Sequence, residues 1–160
     1  MCDRCVVQRI SAGTQVEAPA AVVFGYAADY RHAPMLVPGL TRFEPIGEET
    51  SGLGAAFDAA IEIGPKRYET RLAVNVFEPV HAIGWSGLPE GPSLLWTFTE
   101  SGKSTSVEFE LGFELPGGVT GALLGLTIDP IIRSTARSTA AALKQQVEAQ
   151  VRGGTGAGTR

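Results

Sequence analysis

The sequence predicts an α+β domain: one strand, a helix or helix pair, six antiparallel strands and a long final helix. Three observations carry this. Residues 41–115 alternate apolar and polar in short segments separated by Gly- and Pro-containing turns. Thr120 to Val151 repeats its apolar residues at helical spacing, and its second half, Ile131 to Val151, has no Gly or Pro. Between the first strand and the alternating region, Ala20 to Tyr30 again shows helical spacing.

In chain order, Val6 to Val16 alternates, with Ile10, Ala12, Thr14 and Val16 of one parity. Pro19 ends that strand and suits the first turn of a helix. Val22, Val23, Phe24, Tyr26 and Ala27 then give the helix its apolar side. Asp29 to Pro38 is turn-rich, with room for a short second helix. Thr41 to Glu49 reads as a strand, and Ser51-Gly52-Leu53-Gly54 as a tight connection.

Ala55 to Ile63 turns Phe57, Ala59, Ile61 and Ile63 inward. After Gly64-Pro65, Tyr68, Thr70, Leu72, Val74 and Val76 share one parity. Ala82 to Ser86 contributes Ile83 and Trp85, and Ser93 to Thr99 contributes Leu94, Trp96 and Phe98. Thr105 to Leu115 alternates most cleanly, with Val107, Phe109, Leu111 and Phe113 inward and Glu108, Glu110 and Glu114 outward.

In the final helix, 100° steps place Leu124, Ile128, Ile131, Thr135, Thr139, Ala142 and Leu143 on one face. Arg133, Arg137, Lys144 and Glu148 fall opposite. The inner face is small and hydroxylated at its middle, where a purely sealing helix favours Leu or Ile. Small residues facing a sheet leave room. Pro130 allows two forms, one kinked helix or a short helix followed by a longer one that Asp129 caps.

A chain of 160 residues predicts one domain, over 6–151. Residues 1–5 and the Gly/Thr-rich 152–160 are expected to be disordered ends. The formal net charge of −4 and the lack of any Lys/Arg cluster argue against nucleic acid as a partner. No apolar run reaches a membrane span, and no signal peptide is evident, so the expected compartment is the cytoplasm. Cys2 and Cys5 form a C-x-x-C pair with no second pair of ligands, so no metal or other cofactor is expected. Monomer and homodimer both remain open.

The motifs Ala18-Pro19-Ala20-Ala21-Val22-Val23-Phe24, Asp29-Tyr30 before Pro38-Gly39, Gly52-Leu53-Gly54, Glu78-Pro79 leading to Ile83-Gly84-Trp85, and Thr105 to Phe109 resemble the START/Bet v 1-like (SRPBCC) superfamily. Within it, the chain looks like the bacterial polyketide cyclase/dehydrase and lipid-transport group over about residues 6 to 151. The resemblance implies the helix-grip fold: a seven-stranded antiparallel sheet wrapped round the C-terminal helix, with an elongated apolar cavity between. It also implies ligands of lipid, polyketide or isoprenoid type.

The expected cavity residues are Phe57, Ile61, Tyr68, Thr70, Leu72, Trp85, Trp96, Phe98, Phe109 and Leu111 from the sheet. Ile128, Ile131, Thr135 and Thr139 join them from the helix. Tyr30, His32 and Met35 are expected at the entrance, while His81 falls in a solvated turn. Apolar walls with a few hydroxyls suit a hydrophobic small molecule. The strand carboxylates alternate outward, and no Ser-His-Asp set or Gly-x-Ser-x-Gly elbow occurs. The leading expectation is therefore a binder or carrier. The alternatives are a cyclase or dehydratase in which Tyr68, Thr135 or Thr139 orients the chain, and an interaction module with a closed core.

Overall fold

A computed structural model describes residues 6–63, 66–87, 92–115 and 118–157, with side chains described for 9–62, 67–87, 92–112 and 130–152. The strands are β1 (Val6–Val16), β2 (Leu40–Ile46), β3 (Ala56–Ile63), β4 (Lys66–Glu78), β5 (Ala82–Gly87), β6 (Ser93–Ser101) and β7 (Ser104–Leu115). The helices are α1 (Ala20–Ala28), α2 (Ala33–Leu36), which follows a single 3-10 turn at Tyr30–His32, and α3 (Gly118–Ala157). The seven strands form one antiparallel sheet in the order β1-β7-β6-β5-β4-β3-β2. Sequence-adjacent strands from β2 to β7 pair directly, while β1 crosses over to pair with β7. This is the expected fold.

The pairing aligns the inner side chains in rows. Val16, Thr105 and Glu100 form one row, and Thr14, Val107 and Phe98 the next. Then come Ala12, Phe109, Trp96, Ile83 and Phe77, followed by Ile10, Leu111, Leu94, Trp85 and Val74. On the far side, Thr70 aligns with Ala59 and Phe43, and Tyr68 with Ile61 and Leu40.

One expectation of parity is corrected. The alternation from Tyr68 predicts Val76 inward, but a bulge between Val74 and Val76 adds one residue to β4. Phe77 therefore lies opposite Ile83 on the inner side, while Val76 pairs with Gly84. The Cβ of Val76 comes so close to Gly84 that a side chain there would crowd it.

α3 lies across β1 and β7 and against α1 and α2. Of the two forms open to it, the chain adopts one helix, with Pro130 inside. The helix continues through Ala157, beyond the boundary expected at residue 152. Among its described side chains, Ile132, Ala136, Thr139, Ala140, Leu143 and Val147 are buried. Ile131, Thr135 and Ala142 are only half-buried, so the packed face is turned relative to the expected one. The expected phase was carried across Pro130, where the helix loses a donor and its regular repeat is least secure.

Two contacts bolt the C-terminal half of α3 to the β1–α1 corner. Lys144 Nζ donates to the Gln15 carbonyl at 2.7 Å, and the Glu148 carboxylate accepts from the Glu17 N–H at 2.9 Å. Lys144 also bonds Glu148 directly at 2.8 Å, and this bond is the main reason that the Glu148 carboxyl sits below its ordinary range. The corner is tied again from the sheet. Thr105 Oγ1 donates to the Ala18 carbonyl at 2.8 Å, and Glu100 accepts from Ala20 N–H at 2.7 Å. Pro19 has no capping side chain, so Glu100 supplies what the helix start lacks.

Candidate functional site

The inner face of the sheet changes character along its length. At the bolted end, Val16, Thr105, Val107 and Phe98 pack against Val23, Leu143 and Val147, all buried. A side chain facing a water-sized void would keep accessible surface. Phe109 and Thr139 keep none, and Phe57 keeps 1%. These expected cavity residues, with Leu72, Trp96 and Phe98, are packed core in this structure.

The opposite end is looser. Ile61, Thr70, Leu111, Ile131 and Thr135 are half-buried, and Leu94 and Leu40 join them. Tyr68 pairs with Ile61 but is 42% exposed, which places it on the rim. The side chain of Ile128 lies outside the described residues, as do Cys2 and Cys5. The candidate site is therefore this apolar, partly accessible end, beneath the first described turns of α3.

An aromatic cluster separates the two ends. Phe43 stacks on Phe57 with centroids 4.6 Å apart and meets Trp85 edge-on at 6.2 Å. Tyr30 packs on Phe57 from the entrance side at 5.6 Å. Phe24 reaches down from α1 to meet Phe77 and Phe98. Offset and edge-on ring pairs of this kind fix orientation as well as burying area. Phe43 and Leu94 were absent from the expected site residues. The bulge between Leu40 and Arg42 brings both Leu40 and Phe43 to the inner face, which strict alternation does not allow.

The threonines on α3 do not offer free donors. Thr135 Oγ1 donates to the Ile131 carbonyl at 2.9 Å, and Thr139 Oγ1 to the Thr135 carbonyl at 2.7 Å. This back-bonding is the usual fate of a mid-helix hydroxyl. It accounts for hydroxyls on the inner face without a ligand.

Ala28, Asp29, Tyr30, Arg31, Thr50 and Ser51 line an open cleft of about 360 Å³, beside the residues expected at an entrance. Asp29 caps the 3-10 turn through Arg31 N–H and takes two further bonds from the Arg31 guanidinium, at 3.0 and 2.7 Å. The Arg31 side chain is the main cause that holds the Asp29 carboxyl down at about 2. His32 stacks on Tyr26 at 3.7 Å, and its Nδ1 lies 3.0 Å from the Tyr26 carbonyl. A carbonyl only accepts, so Nδ1 carries the proton and Nε2 is the acceptor in the neutral ring. Tyr26 in turn donates its hydroxyl to Gln146 on α3 at 3.3 Å. Burial, aided by the Asp29 charge, pushes the Tyr26 phenol above its ordinary range. Met35 is 53% exposed on α2.

The outward carboxylates behave as alternation predicts. Asp58 pairs with Arg71, Glu69 with Arg42 and Arg67, and Glu110 with Arg9, all across the outer face. Gly52 and Gly54 adopt positive φ in the β2–β3 turn, and a strand follows, as expected of a connection rather than a phosphate cradle. His81 is exposed in the β4–β5 turn. Among the described residues, no helix is long and apolar enough to cross a membrane.

A seven-stranded antiparallel sheet gripping a long C-terminal helix over an aromatic inner face defines the START/Bet v 1-like class. Solved structures agree. The Zhui aromatase/cyclase from Streptomyces sp. R1128 matches with a TM-score of 0.76 and 15% identity, over 91% of this chain and 96% of that one. TTHA0849 from Thermus thermophilus gives a TM-score of 0.75 and 19% identity, covering 89% and 98%. Truncated norcoclaurine synthase from Thalictrum flavum gives 0.67 and 18%, covering 92% and 97%. At these identities the likeness speaks for the fold. Within that class the chain belongs to the polyketide cyclase/dehydrase and lipid transport family, whose model matches residues 7–148. No curated protein matches it in sequence.

Proposed function

We propose that the protein binds and carries a hydrophobic small molecule, of lipid, polyketide or isoprenoid type, at the loose end of its inner face. The carrying observation is the gradient in packing. Ile61, Leu94 and Leu111 are apolar, lie on the inner face and keep accessible surface, while Val16, Thr105, Val107 and Phe98 at the bolted end are buried. Accessible apolar surface with few polar groups suits a ligand bound by area rather than charge. The family supports the same reading.

A second reading is a cyclase or dehydratase in which His32, stacked on Tyr26 and tied through it to Gln146 on α3, is the candidate base. Its bond to the Tyr26 carbonyl leaves Nε2 as a proton acceptor in the neutral ring. The likeness to an aromatase/cyclase is compatible with this but is a likeness of fold.

Native mass spectrometry of the purified chain, followed by denaturing release of any adduct, tests the binding reading. A defined apolar adduct is expected. It should be lost in Thr135→Trp, where a half-buried position at the loose end takes a large ring. An adduct that persists in that variant would refute the placement, and a clean mass with added lipids and aromatic polyketides would refute binding. Turnover of a supplied polyketide that disappears in His32→Ala, with adduct formation intact, would establish the enzyme reading.

A further inference from the structure

A wall of large side chains crosses the inner face. On β6 and β7 it is made of Trp96 and Phe109, partners in the ladder with ring centroids 4.4 Å apart. They are 3% and 0% exposed. Ile83 carries the same row onto β5 and is buried too. On β3 and β4 the wall continues as Phe57 and Leu72, which pair with each other and are both buried. α3 crosses β7 and buries Ala136, Thr139 and Ala140 in its packed face. Small side chains on the helix leave the space above the sheet to the rings, and the rings fill it.

Accessibility changes from one side of this wall to the other. Ahead of it, Leu94 and Leu111 form the next row and keep surface. Thr70 does the same on β4. Behind it, Phe98, Val107 and Leu143 are sealed. From Leu72 in the wall to Tyr68 on the rim is about 13 Å of strand at 3.3 Å per residue. A molecule that enters from the loose end therefore passes about two rows of side chains before it meets buried rings. Going further means displacing those rings from close-packed neighbours, and the contacts so lost offset what the ligand gains.

We infer that Trp96 and Phe109 set the length of the molecule that the protein can bury. The bound part is short, and a long acyl or isoprenoid chain leaves its remainder in water. This rests on the ligand-binding reading above and narrows it by length.

The test is isothermal titration calorimetry of the full chain with straight-chain fatty acids from hexanoate to palmitate. The carboxylate stays in water at the rim, so each added methylene samples one step deeper. Affinity should rise about fourfold per methylene while the chain still finds apolar surface. It should level off before palmitate, where the chain meets the wall. Trp96→Leu removes ring area and should move the levelling to longer acids. Leu94→Trp adds a ring one row ahead and should move it to shorter ones. Affinity that climbs unbroken to palmitate in the unaltered protein would overturn the wall and leave the binding reading intact. Levelling at the same acid in all three proteins would do likewise. Failure of every acid to bind would overturn the two together, because the binding reading expects apolar surface alone to hold a chain. Leu94 is half-buried and has room for a larger ring, so Leu94→Trp decides the matter even if Trp96→Leu does not fold.

Discussion

Val80 has a φ of 73°, the one non-glycine residue with positive φ among those described. The Glu78 carbonyl accepts from His81 N–H at 2.8 Å, with Pro79 and Val80 between them. Pro at the second position and positive φ at the third define a type II turn, whose third position favours Gly or Asn. A left-handed residue with a Cβ costs about 1–2 kcal/mol, and a β-branched one lies outside the tolerated set. Val80→Gly removes that cost but adds unfolded-state freedom worth about 0.5–1 kcal/mol. The net gain is about 0.5–1 kcal/mol, or roughly 1–4 °C in Tm for a chain of this size. Val80→Asn should gain at least as much, because Asn tolerates the left-handed region and restricts the unfolded chain. Val80→Ala keeps the strain and loses contact, so its Tm should fall. Thermal melts followed by circular dichroism rank the three variants. Gly and Asn melting at or below Ala would refute the assignment of strain to this turn.

Other variants probe the bolted corner and the entrance. Thr105→Val keeps shape but strips the donor from the buried Ala18 carbonyl, and should cost about 1–3 kcal/mol in urea unfolding; Thr105→Ser should recover part of it. Asp29, held at about 2 in the folded chain, stabilises fully above its ordinary pKa of 3.8 and loses that contribution as pH falls through about 2. Asp29→Asn should flatten stability over that window by at most about 1 kcal/mol, because its Arg31 partner is exposed. Denaturant midpoints for both proteins across the window check the sign.

The fold was legible because most of the sequence from β2 to β7 keeps a period of two and each turn carries its own Gly or Pro. What failed to show were the places where the backbone adds a residue. The bulge between Val74 and Val76 exchanged Val76 for Phe77, and that between Leu40 and Arg42 hid Phe43. Neither bulge has a glycine to mark it. On α3, Thr139 and Leu143 were placed correctly in the packed face, but Ile132, Ala136, Ala140 and Val147 were missed. Alanine carries little periodic signal, and Pro130 displaced the phase. The sequence shows hydroxyls at Thr135 and Thr139 but not the helix carbonyls that already accept from them. Conversely, that Trp85 Nε1 is buried without a hydrogen-bond partner among the described residues shows only in the structure.

The crossover of β1 has a consequence for how the chain reaches this state. Val6 pairs with Leu115, so the first strand finds its partner only after more than a hundred further residues. The meander from β2 to β7 needs only short loop closures and can assemble by neighbour-to-neighbour zippering. During synthesis, Ile10 and Val16 must wait without a sheet to cover them until β7 has emerged. Docking of β1 closes the longest loop in the molecule, and such long-range closure slows folding relative to local pairing. The corner that Lys144 and Glu148 later bolt is therefore the last part of the ladder able to form. Destabilising it should act mainly on the final folding step and on how long an aggregation-prone edge stays open.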